Sequence, residues 1–205
     1  PTKNGGFLMT KRCLSREVII EAAIALAKQT GYEGYSLREL AHVLHVQPSS
    51  LYNHVSGLEE IRVEVGLAGI HRLHDMLCEA GAQKPLDRAV ADMAYTYCTF
   101  AQQHPGLYQT LIAIKMDGDA RLRAELPCMI TPFIDVIAQS GLPEDIVTHL
   151  HRMLRCLLHG FLTLSHSGYL SHGAISAEES FSFFLESFSK IIKQYQQEKG
   201  VSSIE

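Results

Sequence analysis

The stretch SLRELAHVLHVQPSSLYNHV, residues 36–55, decides the fold. Ser36 and Glu39 stand three residues apart, the spacing at which a hydroxyl and a carboxylate satisfy each other's orphan amides at a helix start. Leu37, Leu40, Ala41 and Leu44 then recur at helical spacing and mark a buried face. A helix this short must lean on neighbours. His45–Val46 reads as a tight turn. Gln47 and Pro48 begin a second short helix, with proline in the first turn, where its missing amide costs nothing. On that helix Leu51 and Val55 point inward, and Ser49, Ser50, Tyr52 and His54 are polar. Two short helices across a tight turn, the second polar on its outer face, describe a helix-turn-helix. Such a second helix fits the major groove of duplex DNA.

Upstream, Ile19, Ala23, Leu26 and Ala27 form one apolar stripe, with Ser15 as its cap, Glu17 at its positive end and Gly31 as its stop. Downstream the chain keeps its helical period. Helices are expected over 15–30, 36–44, 47–54, 58–80, 86–103, 105–116, 119–140, 143–167 and 176–197, the seventh broken at Pro127 and Pro132. The fold class is all-α, with about nine helices. Residues 1–14 read as a flexible arm, 15–57 as a DNA-binding domain, and 58–200 as a ligand-binding and dimerisation domain. Met9-Thr-Lys-Arg12 resembles a natural start, which leaves residues 1–8 as either arm or non-native remnant.

Composition narrows the class. The 205 residues are 46% hydrophobic and 20% charged, an ordinary soluble mixture. No run reaches membrane-spanning length and no secretory leader pattern opens the chain, so a cytoplasmic protein with no membrane partner is expected. Five scattered cysteines without a CxxC pair argue against a zinc or disulfide framework. Residues 1–56 hold six Lys/Arg against four acids, while the whole chain carries −4, so a mildly basic head sits on an acidic body.

Residues 15–61, from Ser15-Arg-Glu-Val-Ile through Ser-Gly-Leu-Glu-Glu-Ile61, resemble the DNA-binding domain of the TetR family of bacterial transcriptional regulators without gaps. Two positions depart from the family pattern. His45 occupies a turn site commonly held by glycine, where a positive φ is easy. Leu58 stands where Lys or Arg is frequent, which removes one phosphate contact and moves the burden to the backbone amides nearby and to the arm. Residues 85–108, with Phe100-Ala, His104-Pro and Leu107-Tyr, together with His159-Gly160, resemble a subgroup with a Trp/His-Gly type C-terminal domain; this chain has no tryptophan.

The resemblance implies a ligand-responsive regulator, a repressor that binds a palindromic operator as a homodimer and is released by a small hydrophobic effector. It is not an enzyme and uses no cofactor. Double-stranded operator DNA would be met by Ser36, Arg38, Gln47, Pro48, Ser49, Tyr52 and His54. Gln47 and Ser49 would face base edges; Ser36, Arg38, Tyr52 and His54 would face phosphate. Lys11 and Arg12 would add an arm near the minor groove. Tyr97, Phe100, Tyr108, Leu111, Met129, Phe133, Met153 and His159 are spaced to line an effector pocket, although apolar stripes at such spacing usually fill a core. Leu154, Leu157, Phe161, Phe184 and Phe188 are expected at the dimer contact, because the last two long helices are apolar over much of their circumference.

Two other readings compete. His74–Asp75 spells the core of a helical metal-dependent hydrolase motif, but the pairs His71/His74, His149/His151 and His42/His45 supply no third ligand by spacing. The second rival is a helical interaction module that has lost its operator, with Leu58 and the small positive balance of the head in its favour. Cys98 or Cys156 would act as a redox sensor only with a lowered thiol pKa.

Overall fold

Ser15 caps α1 (Arg16–Thr30) by accepting from the Val18 amide at 3.4 Å. Gly31 stops that helix at φ 81°, its amide returning to the Ala27 carbonyl at 3.0 Å. Ile19, Ala23 and Ala27 are fully buried along the predicted stripe. In this computed structural model, which describes residues 14–31, 34–114 and 118–202, ten α-helices and one 3-10 turn follow one another. The arm carrying Lys11 and Arg12 lies outside the described residues.

The head is completed by α2 (Leu37–Val43) and α3 (Pro48–Leu51). The expected helix over 47–54 shortens to one turn, then relaxes into hydrogen-bonded turns from His54 and Val55 back to the Leu51 carbonyl. Tyr52, Asn53 and His54 are weak helix formers, so little propensity extends it.

The body is organised around α4 (Leu58–Gly81), which packs against α1, α5 (Leu86–Gln103), α6 (Pro105–Ala113), α7 (Ala120–Glu125) and α8 (Thr131–Ala138). Ile61, Val65, Ile70, Leu73 and Leu77 are fully buried along it. Each such side chain contributes roughly 1.5–3 kcal/mol of burial free energy. Gly66 and Gly69 are there for close packing: a Cβ would stand 2.8 Å from Leu122 and 3.2 Å from Leu111 respectively. The region expected to break at its prolines does so, into α7, a 3-10 turn (Leu126–Met129) and α8, with Pro127 and Pro132 each in a first turn. Two long helices, α9 (Glu144–His166) and α10 (Ala177–Ser202), close the body. Among the described residues no helix is long and apolar enough to cross a membrane.

Candidate nucleic-acid interface and effector pocket

The head presents its outer face by burying its inner one. Leu40, Ala41, Leu51 and Val55 are all buried. The turn between α2 and α3 passes through His45 at φ 56°, the left-handed conformation expected there, and the Val46 amide returns to the Ala41 carbonyl at 3.0 Å. A non-glycine residue adopts this region at some cost, about 1–2 kcal/mol. The capping box is present in both directions: Glu39 accepts from the Ser36 amide, and Ser36 Oγ accepts from the Glu39 amide at 3.2 Å.

Gln47, Pro48, Ser49 and Asn53 are consequently exposed, and Tyr52 is 59% exposed. Arg38 is exposed on the neighbouring helix and His54 is half-buried. Ser36 is half-buried, and its hydroxyl is engaged with Glu39 at 2.8 Å, so capping is its first task.

A polar chain that the sequence reading missed ties this head to the body. Glu60 on α4 accepts from the Ser56 amide at 2.7 Å and the Ser56 hydroxyl at 2.9 Å, and from the Arg16 guanidinium at 3.0 Å. Arg16 also donates to Glu64 at 2.8 Å, and Glu64 accepts from Arg121 of α7 at 2.9 Å. The Ser56 amide and hydroxyl, with Arg16, hold the Glu60 carboxyl down to about 2. The same two carboxylates push the Arg16 pKa up. Glu60 and Glu64 are one turn apart on α4, a pairing visible in sequence. Their cation comes from another helix and is not.

In the body, Tyr97 of α5, Met129 at the end of the 3-10 turn, Ile130 just after it, and Phe133 of α8 face one stripe of α9: His151, Leu154, Arg155, Leu158 and His159. These walls enclose about 20 Å³, room for one water. Of the expected pocket residues, Tyr97, Met129, Phe133 and His159 meet here. Tyr108 stands behind them, bonded through its hydroxyl to His159 Nδ1 at 2.8 Å, while the Tyr97 hydroxyl meets Nε2 at 3.2 Å. Burial, and then Arg155, lower the His159 pKa, so the ring is neutral, with one nitrogen donating and the other accepting. Burial likewise pushes the Tyr97 phenol up.

Other expectations are corrected by rotation about a helix axis. Met153 does not line the pocket; it is 38% exposed on the opposite side of α9. Phe100 is fully buried against the edge of His104, and Leu111 packs on Gly69 of α4, so both fill the core. Leu154 was expected at a dimer contact but is buried in the pocket wall, and Phe188 is buried within the chain. Phe161 is half-buried and stacks on Phe181 at 4.3 Å between ring centroids. Leu157 is half-buried and Phe184 stays exposed. The pocket residues that spacing missed are Ile130 and, besides the misassigned Leu154, His151, Arg155 and Leu158. The α9 stripe at i, i+3, i+4, i+7 and i+8 was a usable signal for the last three.

The outward face of α9 carries exposed Met153 and Leu164 and half-buried Leu157 and Gly160, again at helical spacing, and α10 adds exposed Phe183 and Phe184. His74 contacts the Cys128 carbonyl through Nδ1 at 2.9 Å and Cys78 Sγ through Nε2 at 3.5 Å. Among the described residues no three His, Cys, Asp or Glu side chains converge as metal ligands. Burial raises the Cys98 thiol to about 12, the reverse of what a redox sensor needs.

Residues 19–65 match the model of bacterial regulatory proteins of the tetR family, and residues 90–188 that of a tetracyclin repressor-like C-terminal domain. The chain is 32% identical over 183 residues to the uncharacterized HTH-type transcriptional regulator YobS of Bacillus subtilis, covering 89% of this chain and 91% of that one. It is 32% identical over 158 residues to the uncharacterized HTH-type transcriptional regulator Rv0681 of Mycobacterium tuberculosis, covering 77% and 72%. Its fold is similar to that of a Rhodococcus protein of unknown function (TM-score 0.75, 19% identity, covering 88% and 96%). It is also similar to a TetR variant from Acinetobacter baumannii in complex with minocycline (TM-score 0.61, 15% identity, covering 90% and 98%).

Proposed function

Because the chain belongs to the TetR family of bacterial transcriptional regulators, we propose that it is a repressor whose α3 reads a palindromic operator and whose body cavity takes the releasing effector. As a family member it is a ligand-responsive DNA-binding regulator and not an enzyme. The metal-hydrolase and lost-operator readings find no support. Family members bind operator DNA, form dimers and bind small-molecule effectors.

The observation that carries the operator assignment is the division of α3. Its one large apolar side chain, Leu51, is fully buried, while Gln47, Pro48 and Ser49 are exposed and Tyr52 is 59% exposed. Residues at the start of such a helix reach base edges, so Gln47 and Ser49 take that role and Pro48 sets the approach. Arg38, Tyr52 and His54 flank them and take the phosphate contacts, with Ser36 contributing through the cap it builds.

Release follows from linkage. An effector lowers DNA affinity only if it prefers a body arrangement that misplaces the heads. Met129 and Ile130 line the cavity, and the adjacent Cys128 carbonyl is bonded to His74 on α4. At its other end α4 holds the head through Glu60, Ser56 and Arg16. Spreading the cavity walls therefore strains α4, the helix that holds the head in place.

A gel shift with the DNA just upstream of the coding region tests the assignment. Each good base contact is worth about 1–3 kcal/mol, so a Gln47→Ala, Tyr52→Ala double variant should bind at least about tenfold more weakly. Equal binding by parent and variant would remove α3 as the reading element.

A further inference from the structure

The pocket's polar groups are unequal. His159 has both ring nitrogens engaged by tyrosine hydroxyls. His151 does not: it is 93% buried, its Nε2 has no hydrogen-bond partner, and it lies in the pocket wall. A buried polar nitrogen left without a partner costs about 1–3 kcal/mol, so its persistence asks for an occupant that pairs with it. Arg155 stands one turn further along the same stripe. It lines the cavity while remaining exposed, and no carboxylate of the described residues lies in ion-pair range of it. No Asp or Glu lines the cavity at all. The remaining wall is apolar or aromatic.

On this basis, and resting on the reading of this cavity as the effector site, we infer that it takes an apolar monocarboxylate, the carboxylate held between Arg155 and His151. The charge count selects the class. Arg155 is permanently cationic and offers a planar fork suited to a carboxylate. His151 contributes no second charge: burial, and then Arg155 and Arg152, lower its pKa, and in the tautomer with the proton on the unpartnered Nε2 the ring donates an uncharged N–H. One positive charge balances a monoanion. A dianion such as a phosphate monoester would leave a charge unpaired against Leu154, Leu158 and Phe133, and an ammonium group would meet Arg155 with like charge. The ligand's apolar body displaces little water, because the cavity holds room for only about one. Entry therefore requires the walls to part, and Met129 is the side chain best able to yield.

Isothermal titration calorimetry on the full chain tests this with hexanoate and benzoate, their neutral amides, hexyl phosphate and hexylamine. The two acids should bind, and each amide at least about tenfold more weakly, as a charge-assisted pair requires. Arg155→Gln should weaken the acids at least about tenfold and leave the amides unchanged. His151→Phe, which keeps the ring volume and removes the donor, should weaken the acids alone. Amides binding as well as acids, Arg155→Gln binding acids as the parent does, a preference for the phosphate or the amine, or no binding by either acid would each overturn the inference. A parallel gel shift separates the two readings. Acid binding without release of operator DNA overturns the cavity as effector site and leaves the ligand chemistry standing. Acid-insensitive DNA binding with no acid uptake overturns the ligand chemistry and leaves the operator assignment intact.

Discussion

At the scale of single residues, Glu60 joins the end of the reading head to the start of the body. Its two oxygens take the Ser56 amide and hydroxyl on one side and the Arg16 guanidinium on the other. Its pKa in the folded chain is held down to about 2, below the ordinary glutamate value of 4.5. A depressed carboxyl stabilises the fold above the unfolded pKa and loses that contribution as pH falls through the folded one. Glu60→Gln should therefore lower stability near neutral pH, by about 1 kcal/mol after discounting for solvent screening. Denaturant titrations should find parent and variant converging between pH 4.5 and 2; a gap that is independent of pH would remove the ionic role. Residue-scale features were unevenly legible in the sequence. The Ser36–Glu39 box and the breaks at Pro127 and Pro132 act within four residues of chain, and local spacing found them; the positive φ at His45 was legible only through the family resemblance. The Glu60–Arg16 tie spans 44 residues and left no local trace.

Among the elements, the join between α1 and α6 fixes how head meets body, beside the α4 lever. The first turn of α6 lies against the last turn of α1 so closely that a Cβ on Gly106 would stand 1.5 Å from the Ala27 carbonyl oxygen and 2.9 Å from the Gly31 amide nitrogen. These are backbone atoms and cannot yield as a side chain can. Gly106→Ala should therefore destabilise by about 1–3 kcal/mol or more and loosen the head. Gly69→Ala is the matched comparison. Its new methyl would meet side chains alone, a Leu111 methyl nearest at 3.2 Å and a Leu107 methyl at 3.9 Å, and alanine gains helix propensity over glycine. Denaturant midpoints should fall clearly for Gly106→Ala and little for Gly69→Ala; equal shifts would deny the join its rigidity. Helix spans were legible because caps and apolar period recur along the chain. The rotation of α9 was not. Met153, Leu154 and Leu157 are all apolar, successive helical positions lie about 100° apart, and only the neighbours decide which one turns inward. Leu154 went to the pocket wall and Met153 to the outside.

For the whole molecule, operator reading requires two heads at a fixed separation, roughly 34–36 Å for successive major grooves on one face of DNA. The single chain supplies one head, so the second copy must be held by a surface away from it. The outward stripe of α9 fits that need. Met153 and Leu164 are 38% and 44% exposed, Phe183 of α10 is 63% exposed, and nothing lies within 4 Å of a Cβ placed on Gly160 in their midst. Apolar side chains around an open glycine let a mate's helix approach closely, and a twofold contact buries the same stripe on both copies. Gly160→Glu uses this geometry as a test. Within one chain the new side chain meets open space, and glutamate is a better helix former than glycine, so helical content by circular dichroism should not fall. Between two copies it sets a carboxylate against its own image in an apolar contact, where like charges are costly. Sedimentation should then find single chains where the parent sediments as pairs, and palindromic DNA should be bound at least about tenfold more weakly because the two half-sites no longer act together. A variant that stays paired would place the twofold axis elsewhere on the body, and the α9 stripe would need another occupant.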